Sequence, residues 1–266
     1  MNLALRYELT RLATVPATRV LVSVSVIGSL LVAVGLCFVL NQANTAETAA
    51  GASESLAVVL TRSPVTVFVA GLIGAMSLGH DYKFATIDVT MLVTPRRMRA
   101  FAAKALTVAL CAVVLAVASL LIGWAVALAM LGTDVAGRAS LGTLAQAQAG
   151  YVVFVAGWGL LGLALTRIFA SQTFAILLLV IWPFVVEPAL KGMTAALSWE
   201  PARAAAAYLP YAAGQAISSA PRAGVGSLYA SAHAASPALA ALAFAGLVCA
   251  LIWSAAVMFR NRPVAM

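Results

Sequence analysis

Six stretches of this chain are long and apolar enough to cross a lipid bilayer: 20–40, 64–79, 105–131, 150–166, 173–190 and 237–258. A helical crossing needs about 20 mainly apolar residues. Inside hydrocarbon every backbone N–H and C=O must find an internal partner, which leaves helices and closed barrels as the spanning forms. These runs are continuous rather than alternating, so the crossings are helices and not barrel strands. The 266 residues are 64% hydrophobic and 9% charged, against roughly 25% charged residues in a soluble domain. A water-soluble fold of this length leaves too much surface exposed to hide that apolar content. The expected fold class is an all-α polytopic membrane protein with six transmembrane helices. The first run exceeds the roughly 7–15 residues of a signal-peptide core, and is read as a retained span. The third is long enough to tilt in the bilayer.

The formal net charge is +8. In a membrane protein this excess speaks to orientation, through the positive-inside rule, rather than to nucleic acid. With the N-terminus in the cytoplasm, eleven of the 16 Lys and Arg residues lie inside: Arg6, Arg11, Arg19, Lys83, Arg96, Arg97, Arg99, Lys104, Arg167, Arg260 and Arg262. Arg62, Arg138, Lys191, Arg203 and Arg222 lie outside. The even number of spans returns the C-terminus to the cytoplasm. The Ala-rich composition suggests a GC-rich bacterial genome, and the expected location is the bacterial cytoplasmic membrane.

Little in the sequence points to catalysis. Cys37, Cys111 and Cys249 each sit in an apolar run without a C-x-x-C partner, and His80 and His233 lie far apart, so no metal site is expected. Gly157-Trp158-Gly159-Leu160-Leu161-Gly162 matches G-x-G-x-x-G. The dinucleotide motif, however, needs a strand before it and a βαβ unit around it. Inside a lipid-embedded helix these small residues suit close helix packing. No G-x-x-x-x-G-K-[ST] occurs, so the chain carries no phosphate-binding loop. Seven of the eight acidic residues (Glu8, Glu47, Glu54, Asp81, Asp88, Asp134 and Glu200) fall in connecting segments. No converging acid–base pair marks an enzyme. Glu187 alone lies in a span, near its outer end, and reads either as a boundary marker or as part of an outer gate.

The connecting segments are more informative. Residues 1–19 place Leu3, Leu5, Leu9 and Leu12 among Arg6, Glu8 and Arg11, a pattern for an interfacial cytoplasmic helix. Residues 191–236 form a long outer connection with Trp199, Tyr208, Tyr211 and Tyr229, suited to the headgroup zone. Its run 202–217 is too short to span twice, and a re-entrant piece fits it. Residues 80–104 open with His80-Asp81-Tyr82-Lys83-Phe84-Ala85-Thr86-Ile87, continue through Leu92 to Pro95-Arg96-Arg97, and close on Lys104. Anchoring by anionic lipid accounts for the basic residues. A short amphipathic helix docking on a partner would also account for the acidic–aromatic–basic opening and for Phe84, Ile87 and Leu92.

This loop resembles that of the permease subunits of type-2 ABC transporters, where an acidic–aromatic–basic opening precedes Gly-Thr-Ile, a Leu, a Pro-Arg-Arg-like group and a Lys. The matching residues are Asp81, Tyr82, Lys83, Thr86, Ile87, Leu92, Pro95, Arg96, Arg97 and Lys104. Asp81 stands where the family usually has Glu, and Ala85 where it usually has Gly. Glu8-Leu9-Thr10-Arg11 resembles the family's leader helix, and Tyr208-Leu209-Pro210 an element of its outer connection.

The resemblance implies one single transmembrane domain that forms half of an export pathway, paired with a second copy or a sister permease. ATP and Mg would be bound by separate cytoplasmic ATPase subunits. Asp81, Tyr82, Lys83, Thr86, Ile87, Arg96, Arg97 and Lys104 would form the ATPase-coupling element, with Arg167 as a minor contact. Glu187, Tyr208 and Pro210 would be candidates for the outer gate, and the cargo would be lipophilic or amphiphilic. Two other classes remain: a stand-alone secondary transporter or channel, and a non-transporting assembly or self-protection protein. The scarcity of charge inside the spans counts against ion coupling.

Overall fold

The computed structural model describes residues 7–8, 10–12, 14–42, 49–83, 97–196, 200–219 and 236–260. Among them there is no strand, and six helices are long and apolar enough to span a membrane. The chain is an all-α polytopic membrane protein. The helices are α1 (Pro16–Gln42), α2 (Ala49–Thr61), α3 (Pro64–Lys83), α4 (Arg97–Leu131), α5 (Thr133–Arg138) and α6 (Leu141–Phe169). They continue with α7 (Gln172–Ile181), a π turn (Trp182–Val186), α8 (Glu187–Ala196), α9 (Glu200–Ala206), α10 (Pro210–Ile217) and α11 (Pro237–Arg260). The six crossings are α1, α2–α3, α4, α6, α7 through α8, and α11.

Proline starts α1, α3, α10 and α11. At a first helical position its fixed φ is preorganised and its missing N–H is not needed. The second crossing is interrupted at Arg62–Ser63, just ahead of Pro64. Its first piece, α2, buries Ala52, Leu56 and Leu60, one per turn, and packs on α4, α5 and α6. The fifth crossing carries Pro183 within it. Proline cannot donate to the helix ladder, and here the ladder opens into a single π turn, with the Glu187 N–H reaching the Trp182 carbonyl.

The helix α6 is the hub, contacting α2, α3, α4, α7, α10 and α11. Its tightest seam is with α3, and glycine makes that seam possible. A Cβ at Gly74 would overlap the Gly159 carbonyl, and one at Gly162 would overlap the Gly71 carbonyl. The glycines of the G-x-G-x-x-G run therefore serve packing: Gly159 and Gly162 face α3, while Gly157 faces Phe244 of α11.

A hydroxyl network joins α1, α3, α4 and α6 within the bundle. Ser29 Oγ lies 2.8 Å from Thr66 Oγ1 and 3.1 Å from Ser63 Oγ. Ser25 Oγ donates to Thr66 Oγ1 at 3.3 Å. The Tyr151 hydroxyl donates to the Ser63 carbonyl and lies 3.3 Å from Ser119 Oγ. These bonds satisfy polar groups that lipid could not.

Both described chain ends meet at one face of the bundle. The leader, helical through residues 7–14 apart from the undescribed positions 9 and 13, docks there with Leu12 buried. The whole loop between α3 and α4, residues 84–96 with Thr86, Ile87 and Arg96, lies outside the described residues, as do the side chains of Lys83 and Arg97.

Candidate functional site

Two constellations stand out, one at each end of the bundle. At the end carrying the termini, Glu8 and Arg11 of the leader meet Asp81 near the end of α3 and Lys104 two turns into α4. Lys104 Nζ donates to Glu8 Oε1 at 2.7 Å and lies 3.0 Å from Asp81 Oδ2, an ion pair without hydrogen-bond alignment. Arg11 reaches Asp81 Oδ1 at 2.9 Å and Glu8 Oε2 at 3.5 Å. Two acids thus balance two bases, with Lys104 only 1% exposed and Asp81 3% exposed. Such burial is tolerated only because each charge is paired.

Beside this cluster, Arg167 at the end of α6 donates to the Tyr82 hydroxyl at 2.8 Å and to the Met258 carbonyl. Its guanidinium also lies over the Phe259 ring, 5.7 Å from the centroid. Of the residues matched to the coupling loop, the structure therefore brings Asp81, Tyr82 and Lys104 onto one face and directs all three inward. The sequence marks Glu8 and Arg11 as part of a leader helix but not their pairing, because Lys104 lies 96 residues away from Glu8.

At the far end, the short helix α10 is wedged between α6 and α11. It buries Ala213, Gly214 and Ile217. Gly214 lies flat on the Phe154 ring, and Gly150 of α6 makes room for the Ile217 carbonyl. Thr61, ending α2, donates to the Ser218 carbonyl at 2.8 Å. Tyr211 enters an aromatic cage, with ring centroids 5.8 Å from Phe68, 5.5 Å from Phe154 and 5.4 Å from Trp158. Burial pushes the Tyr211 phenol above its ordinary pKa range.

Glu187 holds this plug in place. Its carboxylate accepts from the backbone N–H of Tyr211 at 2.6 Å, from that of Ala212 at 3.0 Å and from the Trp182 indole at 3.0 Å. It thereby caps the positive end of α10 from a different helix. The π turn makes this possible. Five residues advance an α-helix by about 500°, leaving residues 182 and 187 roughly 140° apart. The wider π turn brings them onto one face. Glu187 and Pro210, both candidates for the outer gate, are thus adjacent. Tyr208 sits apart from the carboxylate and accepts from the Ser236 N–H at 3.3 Å.

Removing the cap has a defined cost. Glu187→Ala strands three donors and is expected to lower stability by about 2–3 kcal/mol. Glu187→Gln keeps one carbonyl acceptor and should lose about half of that. Thermal unfolding of the detergent-solubilised variants checks the order; equal losses for the two would mean that the carboxylate does not cap.

Among the described residues no group of acidic, His or Cys side chains is arranged to hold a metal. The fold and these two constellations define a six-span membrane protein with a charged clamp at one end and a wedged helix at the other. No family model, no curated protein and no solved structure matches the chain.

Proposed function

We propose that the chain is the membrane-spanning subunit of an ABC exporter, powered by separate cytoplasmic ATPase subunits that bind ATP and Mg. It would work as a pair with a second copy or a sister permease. The clamped end then faces the cytoplasm of a bacterial cell, and the plugged end faces outward. Support comes from the loop resembling a coupling element and, chiefly, from the anchoring of both its flanks. Asp81 and Lys104 meet in one buried ion-pair cluster with the leader, and Tyr82 is bound through Arg167 to α6 and α11. A push on residues 84–96 would be delivered at once to the leader, α3, α4, α6 and α11. Asp81 and Lys104 would serve as fixed mounts, while Thr86, Ile87, Arg96 and Arg97 would meet the partner. At the far end, the helix held by Glu187 would yield during export of a lipophilic or amphiphilic cargo.

The test is co-purification from mildly solubilised membranes. A phosphate-loop ATPase should accompany the native chain and be lost from an Ile87→Asp, Arg96→Glu variant that still inserts and melts normally. If no ATPase accompanies the native chain, even after light crosslinking, the proposal fails.

A further inference from the structure

A cleft between three spans belongs to neither constellation. Leu161 of α6 forms its floor, Leu178 and Trp182 one wall, and Leu247 and Leu251 of α11 the other, while Pro210 closes the top. It encloses about 150 Å³, and no polar atom contributes to its surface. Spans α7 and α11 each pack on α6 but scarcely on each other, so the cleft opens sideways, toward hydrocarbon.

Water has no hydrogen-bond partner in such a space, and an empty one forfeits contact with every atom of its lining. An apolar cavity of about this volume in a soluble protein stays dry and accepts a hydrocarbon guest. A helix from a second copy, about 10 Å across, does not fit. Lys191, exposed one turn beyond Glu187, puts a cation on the same crossing as the wall residues Leu178 and Trp182, of the sign that attracts a lipid phosphate. We propose that this cleft binds a single hydrocarbon chain of a membrane phospholipid. Its wall residue Trp182 also donates to Glu187, so an occupant braces the indole that supports the cap of α10. The inference rests on the six-span fold alone and holds with or without an ATPase partner.

The test uses the native chain in nanodiscs of phosphatidylcholine, doped with phosphatidylcholine carrying a photoactivatable diazirine midway along one acyl chain. After irradiation, adducts are mapped by peptide mass spectrometry. Leu178, Leu247 and Leu251 should be labelled severalfold more than Leu121 and Leu242, which are among the most exposed apolar side chains of the bundle. Filling the cleft from either wall, with Leu247→Trp or Leu178→Phe, should erase labelling at the facing wall and leave Leu121 and Leu242 unchanged. Uniform labelling of the native chain would overturn the proposal. So would disulfide-linked dimers of a Leu247→Cys, Cys249→Ser variant, which would place a second copy at the cleft; Cys249, two residues away, is exposed.

Discussion

Replacing Lys104 by methionine should cost about 3–5 kcal/mol, the loss seen when one partner of a buried ion pair is removed. Methionine fills most of the volume, so the penalty is electrostatic. Glu8 and Asp81 are left facing each other with Arg11 as their remaining partner in the cluster. The double variant Glu8→Gln, Lys104→Met removes one charge of each sign and leaves Arg11 with Asp81. It should recover much of the loss. Chemical unfolding in detergent provides the comparison, and the pair must be strongly non-additive, as residues in one network are. Additive losses would show that the four side chains do not act as a unit. The leader should respond as well: in Lys104→Met it loses its shortest tether, and proteolytic cleavage near Arg11 should speed up.

The second large effect is expected at the α3–α6 seam. Gly162→Ala or Gly74→Ala puts a methyl group into a carbonyl of the opposite helix. Backbone cannot rotate away as a side chain can, so the helices must separate along their length. A loss of about 3 kcal/mol or more is expected, above the usual range for overpacking. Valine at either position should yield little folded protein. Gly35, Gly142 and Gly246 are internal controls, because a Cβ there meets nothing within 4 Å. Alanine at those helical positions should be neutral or stabilising by about 0.5–1 kcal/mol. Detergent-extracted yield and melting temperature measure both sets, and a uniform response would refute the seam.

What the sequence made legible follows from the range of the forces involved. The six crossings are readable because each run satisfies the lipid constraint by itself, with no reference to the rest of the chain. Their limits are less so. Hydropathy ends the third run at Ala105, but α4 begins at Arg97, since charge stops an apolar window without stopping a helix. Lys104 thus lies inside a helix rather than in a loop. Residues 49–61 contain Ser53, Glu54 and Ser55 and read as connector; the Ala52, Leu56 and Leu60 spacing was the available sign of a helix. The small residues around Gly159 announced close packing, whereas the partner Gly74 emerges only in the fold. Glu187 was visible as the one acid in a span. Its role depends on a π turn and on a helix beginning more than twenty residues later, which no local pattern encodes.

The hydroxyl network has a mechanical consequence. Ser25 and Ser29 are four residues apart on α1, stacked on one face, and both bond to Thr66. They form two teeth of a rack spaced four residues along the helix, about 6 Å. Sliding α1 by that distance in either direction would leave Thr66 with a single serine and strand the other hydroxyl inside the bundle. A second detent on the present register is apolar: Val65 seats against Gly28, where any added carbon would collide with it.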